Sequence, residues 1–339
     1  MPLDPRAKRF LDRLAALEPP SVLALTVSER RESLSQLLSF SGPPARVGRI
    51  EERSLPGPAG TPLTVRIYTP AELGAAPRTG REAPDARVER TRWASRIERF
   101  LPGLVYFHGG GLVAGSLDTH DPICRSLCNA SGCIVVSVDY GLAPEHPFPA
   151  AIADGCHATV WIASQAMELG IDPARIGICG DSAGATLAAV VCQTLSEMGE
   201  PPLALQFLLC PITDFCADTA SRRDFASGYL VDQATLEHDL RHYLGADADP
   251  AHPRVSPLRA DDLRNLPPTC IHTAEFDPLR DEGAVYANRL REAGVATTYR
   301  CHSGMIHLFY GMGALIPYAA TAYQLIGEDI RSMLGGKVA

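Results

Sequence analysis

From residue 104 onward, short apolar runs rich in β-branched residues alternate with helix-like stretches. The runs at 104–107 (LVYF), 133–138 (CIVVSV), 175–180 (RIGICG), 203–209 (LALQFLL), 269–274 (TCIHTA) and 297–301 (TTYRC) predict strands. Between and after them, helices are predicted at roughly 148–167, 183–198, 281–293 and 316–334. Continuous apolar strands separated by helices are the pattern of a mainly parallel sheet covered on both faces. Ahead of this array, PLTVRIYTP at 62–70 alternates apolar and polar residues and is expected as an antiparallel edge strand.

Two regions break the alternation. The first 45 or so residues have helical periodicity, with Asp4 placed to cap a helix carrying Phe10, Leu11, Leu14 and Leu17 on one stripe. Residues 216–245 separate two predicted strands by far more than an ordinary connection. Read together, they predict a small helical cap over the carboxyl end of the sheet, where ligands bind in open α/β folds. The expected organisation is cap at 1–45, core at 46–215, internal cap at 216–245 and the rest of the core at 246–339. Within the first core segment, residues 71–99 delay the strand at 104–107, and Arg78 to Arg99 holds seven arginines against four acids. This stretch reads first as a solvated surface excursion, with a partner or oligomer contact such as a homodimer as the alternative.

Composition narrows the class. Of 339 residues, 46% are hydrophobic and 21% charged, the balance of a globular protein. A formal charge of −8 argues against nucleic acid or an anionic membrane as the main partner. The opening MPLDPRAKRFLDRLAALEPP has no apolar core of the kind a secretory signal needs, and no run of about 18 apolar residues predicts a membrane span. Most of the ten cysteines sit in apolar runs, which suits buried thiols in a reducing cytoplasm better than a disulfide framework. Cys124 and Cys128 are four apart and could share a helix face, yet no C-x-x-C or histidine pair accompanies them, so no metal site is expected.

The chemistry is carried by three segments. Gly180-Asp181-Ser182-Ala183-Gly184 follows the strand RIGIC and opens a helix-like run. Five small residues recur by chance, but a nucleophile on a tight strand-to-helix turn needs small neighbours, and the helix N-terminus favours developing negative charge. His108-Gly109-Gly110-Gly111 directly follows LVYF. Its bare amides can approach a substrate oxygen, so Gly109, Gly110 and Ala183 are the expected oxyanion donors. His108 is expected to hold the loop by hydrogen bonds, with Gly111 and Asp181 in support. No Gly-Lys-Ser/Thr follows, which removes the phosphate-cradle reading.

A serine hydroxyl is a poor nucleophile until a neutral imidazole accepts its proton, and a carboxylate fixes the tautomer of that imidazole. His307, in SGMIHLF after the last strand, and Asp277, in AEFDPLRDEG, stand in the chain order Ser, Asp, His that one hydrolase architecture uses. His302 rivals His307, and Asp214, Asp281 and Glu275 rival Asp277.

The set HGGG, DYGLAPEHPFPA, GDSAG, DPLRDEG and GMIH resembles the bacterial hormone-sensitive-lipase-like esterases, in their GDSAG branch, from about residue 62 to the end. The resemblance implies an α/β-hydrolase core of eight mostly parallel strands, a helical cap, and carboxylesterase activity on short acyl esters without a cofactor. It gives Ser182, Asp277, His307, His108, Gly109, Gly110 and Ala183 the roles just argued, with a small-molecule ester as partner. Three departures stand out: Gly141 replaces the arginine of DYRLAPEHP, Leu308 replaces the glycine of GMIHGF, and the basic segment at 71–99 is longer than the usual connection. An amidase or lactone hydrolase on the same residues, or a non-hydrolytic small-molecule receptor, are the alternative functions. The cap segments carry charges, as in SRRDF and EHDLRHYL, so falling rates on long acyl chains are expected rather than lipase behaviour.

Overall fold

The computed structural model describes residues 1–71, 100–200, 202–245 and 248–335. The arginine-rich stretch from Arg78 to Arg99 therefore lies outside the described residues.

In chain order the elements begin with helices α1 (Pro5–Ala16) and α2 (Val27–Leu38) and strands β1 (Arg49–Pro56) and β2 (Pro62–Thr69). Then follow β3 (Leu101–Phe107), α3 (Asp121–Ser131), β4 (Ile134–Asp139), α4 (Ala150–Ser164), β5 (Ile171–Asp181), α5 (Ala183–Met198) and β6 (Leu205–Leu209). The chain ends with α6 (Ala220–Asp224), α7 (Gln233–Leu244), β7 (Thr269–Phe276), α8 (Arg280–Glu292), β8 (Thr297–Ile306) and α9 (Tyr318–Met333).

All eight strands form one sheet in the order β1-β2-β4-β3-β5-β6-β7-β8. The β1/β2 and β2/β4 pairs are antiparallel, and every other pair is parallel. The parallel strands are buried on both faces, so successive residues of β3 enter opposite cores: Val105 and Phe107 one, Leu104 and Tyr106 the other. α4, α5 and α8 cover the first face, while α3 and α9 cover the second. Helix α5 is buried from Ala183 to Leu195, and its small residues Ala183, Gly184, Ala185, Ala188 and Ala189 let its backbone lie close to the sheet.

Two expectations need correction. The strand at 62–69 is not at the edge, because β1 pairs outside it through Arg49↔Thr69 to Pro56↔Pro62. RIEERSLP carries no strand pattern because an outer strand needs little apolar surface, and only Leu55 of β1 is buried. Helix α3 is a second element outside the predicted set; its cysteines 124 and 128 share one face, buried with Ile123 and Leu127 against the core. Burial pushes both thiols up, which keeps them protonated.

At the N-terminus, Asp4 caps α1 by accepting from the amides of Arg6 and Ala7. Thr26 and Glu29 form a reciprocal capping box on α2. Helices α1 and α2 meet the segment 212–239 around a cavity above the carboxyl ends of the strands. That edge is where β3, β5, β7 and β8 all deliver their following loops.

Candidate active site

The turn after β5 places Ser182 at φ 52, ψ −126, a left-handed conformation that an L-residue adopts only under strain. The flanking residues must be glycine for steric reasons. A Cβ on Gly184 would lie 2.2 Å from the carbonyl oxygen of Phe107, and one on Gly180 would lie 2.4 Å from the carbonyl oxygen of Gly184. The amide of Ser182 is tied to the carbonyl of Leu209 at 2.8 Å, which holds the turn against β6.

Ser182 Oγ lies 3.0 Å from His307 Nε2, and His307 Nδ1 lies 2.7 Å from Asp277 Oδ2. His307 follows β8 directly, and Asp277 follows β7, so two neighbouring parallel strands deliver the imidazole and the carboxylate side by side. Asp277 is fully buried, and its second oxygen accepts from the amide of Leu279. With the carboxylate accepting from Nδ1–H, the imidazole turns the lone pair of Nε2 to the serine hydroxyl.

The rivals stand elsewhere. His302 lies inside β8 between His272 Nδ1 and the Tyr318 hydroxyl, both at 3.1 Å. Asp214 accepts from Arg259, Asp281 from Arg280 and the amide of Ser221, and Glu275 from the N-terminal ammonium and the amide of Gly304. None of these carboxylates meets His307.

The glycine loop departs from expectation at one residue. The amide of Gly109 donates to Asp181 Oδ1 at 2.9 Å, so it is already engaged and cannot serve an oxyanion. Gly110 and Gly111 line the cavity beside Ser182, and among the described residues the amides of Gly110, Gly111 and Ala183 have no protein acceptor. The amides left open toward the cavity therefore begin one position further along the loop. His108 is fully buried, with Nδ1 2.9 Å from the carbonyl oxygen of Gly109 and its ring stacked on Tyr140. Burial, reinforced by the nearby His120, pushes its imidazole down to about 3 and leaves it neutral.

Asp181 is a hub that the sequence concealed. It accepts from the hydroxyls of Tyr106 (2.5 Å) and Tyr310 (3.0 Å) as well as from Gly109, and His120 Nε2 stands 3.6 Å away. Burial alone would raise its carboxyl, but His120 and these hydroxyl donors outweigh it and hold the group below the usual carboxylate range. No local pattern announces Tyr106, His120 or Tyr310, because they come from three distant segments.

The cavity over Ser182 and His307 measures about 1250 Å³. Its lining includes the predicted stripe, Phe10, Leu11, Leu14 and Leu17, together with Ile212, Phe215 and Leu230 of the segment 212–239. Leu308 joins the wall with φ 60. At the other departure from the family pattern, the amide of Gly141 donates to Asp154 Oδ2, and a Cβ there would press on His146 at 2.9 Å.

A strained serine at a strand-to-helix turn, a buried acid and a histidine in that chain order define a hydrolase of the α/β class. Comparison with known proteins agrees: residues 104–311 match the family model described as alpha/beta hydrolase fold. The chain belongs to that family, among its hormone-sensitive-lipase-like esterases, and is a carboxylesterase of the serine type. It is similar to the carboxylic ester hydrolase LipN of Mycobacterium tuberculosis, 38% identical over 91% of this chain and 77% of that protein. It is also similar to an arylesterase of Saccharolobus solfataricus, 34% identical over 92% of this chain and 93% of the other. Among solved structures, an ester-hydrolase from the metagenome of Lake Arreo, complexed with a bipyridine phosphonate derivative, superposes with a TM-score of 0.87 at 37% identity. That match covers 98% of this chain and 99% of the other. The hyperthermophilic esterase of the archaeon Pyrobaculum calidifontis gives 0.84 at 36% identity with the same coverage. No helix of the described residues is long and apolar enough to cross a membrane.

Proposed function

We propose that Ser182 is the nucleophile, His307 the general base and Asp277 the residue that orients the base, with the amides of Gly110, Gly111 and Ala183 holding the oxyanion. The substrates are small esters with short-to-medium acyl chains. The observation that carries this reading is the unbroken contact Ser182 Oγ to His307 Nε2 to Asp277, at 3.0 and 2.7 Å.

As Ser182 Oγ bonds to the ester carbonyl carbon, its proton passes to His307 Nε2 and the carbonyl oxygen becomes an oxyanion facing the three amides. Each such donor is worth about 3 kcal/mol in the barrier. The intermediate collapses, the C–O bond to the alcohol breaks, and the imidazolium gives its proton to the leaving oxygen. Water then loses a proton to His307 as it attacks the acyl carbon, the bond from that carbon to Ser182 Oγ breaks, the imidazolium returns its proton to Oγ, and the acid departs. The segments 1–45 and 216–245 act as one cap whose apolar underside receives the acyl or alcohol chain. The ten free cysteines fit a reducing compartment, and we read the protein as cytoplasmic.

Replacing Ser182 with alanine tests the assignment. Hydrolysis of p-nitrophenyl butyrate should fall at least about 10³-fold with the circular dichroism unchanged, and covalent labelling by a phosphonate should disappear. Survival of most of the activity overturns the nucleophile.

A further inference from the structure

Among the described residues that line the cavity there is one arginine, and its charge is spent on an acid of the opposite wall. Arg30 of α2 donates through Nε to Asp239 Oδ1 at 3.1 Å and through its terminal nitrogen to Oδ2 at 2.7 Å, a bidentate pair in which the two residues are 9% and 4% exposed. Both side chains border the cavity that holds Ser182. Asp239 Oδ1 also faces His238 Nδ1 at 2.9 Å, and the other nitrogen of that ring lies 3.3 Å from the carbonyl oxygen of Leu25.

The carboxylate sits directly against the glycine loop. A Cβ on Gly111 would lie 1.9 Å from Asp239 Oδ2, so the acid occupies the space a side chain would need. The next residue of α2 secures the same loop further along: Arg31 Nε donates to the carbonyl oxygen of Val113 at 2.9 Å, and its terminal nitrogens reach Ala143 O and Glu145. The arrangement braces the loop from outside, yet it places a carboxylate beside amides that must receive developing negative charge. An unpaired anion at that spot would oppose the transition state, because charges act strongly where water is excluded.

We infer that Arg30 and Asp239 are positioning residues for ester hydrolysis: Asp239 props the loop at Gly111, and Arg30 cancels the negative charge this prop brings to the oxyanion site. The inference rests on the assignment of Gly110 and Gly111 as oxyanion donors. A tether that only joined α2 to α7 would be indifferent to which of its two charges is lost. A charge-cancelling pair is not. Removing the cation leaves an anion facing the oxyanion, whereas removing the anion leaves a cation there.

Steady-state kinetics on p-nitrophenyl butyrate at fixed ionic strength separate the two. Arg30→Gln and Asp239→Asn each break the ion pair, so thermal midpoints fall in both. The kcat of D239N should exceed that of R30Q by at least about tenfold, with the difference in kcat rather than KM. The double variant R30Q/D239N, which carries no unpaired buried charge, should recover at least about fivefold in kcat over R30Q. Equal losses in the two single variants, or a double variant no better than R30Q, overturn the inference. Should R30Q fail to fold, the double variant decides: a fall in kcat of less than about tenfold from wild type supports the inference, and a larger fall overturns it. Ser182→Ala, run beside them, keeps the two failures apart. If that variant stays active, the site assignment has failed; if it is inactive while the charge asymmetry is missing, only the role of Arg30 and Asp239 has failed.

Discussion

The amide of Gly109 donates to Asp181 Oδ1 across 2.9 Å, and this bond fastens the glycine loop to the residue immediately before Ser182. The turn that carries Ser182 and the glycine loop are thereby held in one frame. Gly109 gives up its own donor to build that frame, which is why the open amides begin at Gly110.

Asp181→Asn should therefore loosen both parts together. Three donors converge on the carboxylate, and an amide would aim N–H groups at one or more of them. Hydrogen bonds to a buried charged group are worth about 1.5–3 kcal/mol each, so a loss of about 2–3 kcal/mol in stability is expected, with kcat reduced. Urea denaturation and steady-state kinetics on the same sample check this. An unchanged midpoint with unchanged kcat would show that the hub carries no weight.

Acid should destabilise the protein through its buried histidines. Burial and neighbouring histidines push His108 and His302 down to about 3, against 6.5 for the unperturbed group. As pH falls below about 6.5, the unfolded chain takes up protons that the folded chain refuses. The stability these two groups contribute is thus complete above that pH and is lost between it and about 3, at up to about 1.4 kcal/mol per pH unit for each. Urea midpoints measured from pH 7 to 4 should slope accordingly, and His302→Asn should make the slope shallower. A flat wild-type profile would contradict the neutral, buried state of these rings.

Acyl-chain preference should follow the stripe of α1. Rates are expected to rise from acetate to butyrate or hexanoate esters and to fall at palmitate. Leu14→Trp puts a larger ring into the roof of the cavity and should lower kcat/KM for the longest accepted chain by about tenfold more than for acetate. A uniform effect across the series would place the acyl chain away from α1. Faster turnover of emulsified long-chain triglyceride than of soluble butyrate esters would overturn the chain-length assignment.

Leu308 sets two effects against each other. Its φ of 60 favours glycine by about 1 kcal/mol, while its side chain is 5% exposed and packs in the core. Deleting a buried leucine costs about 2–5 kcal/mol, so Leu308→Gly should be net destabilising by about 2 kcal/mol and should enlarge the cavity beside His307. Thermal denaturation and rates on a bulkier alcohol ester measure the two consequences.

Much of the architecture was legible along the chain. The parallel strands are apolar on both faces and announce themselves, as do the glycines around Ser182, which no side chain could replace. Strand β1 was illegible because an outer strand with one buried residue needs no pattern. Helix α3 drew notice only through its cysteines, although its buried face also includes Ile123 and Leu127. The engagement of the Gly109 amide was illegible because three consecutive glycines look alike until their neighbours are known.

What the sequence alone determined is the class of chemistry: the order of serine, acid and histidine, and the small residues a strained turn demands, are local properties written in consecutive positions. What only the tertiary structure decided is which groups meet. The contact of Ser182 with His307, the engagement of the Gly109 amide by Asp181, and Asp239 beside an arginine more than two hundred residues away in the chain are contacts between segments, and such contacts leave no periodicity for a linear reading to find.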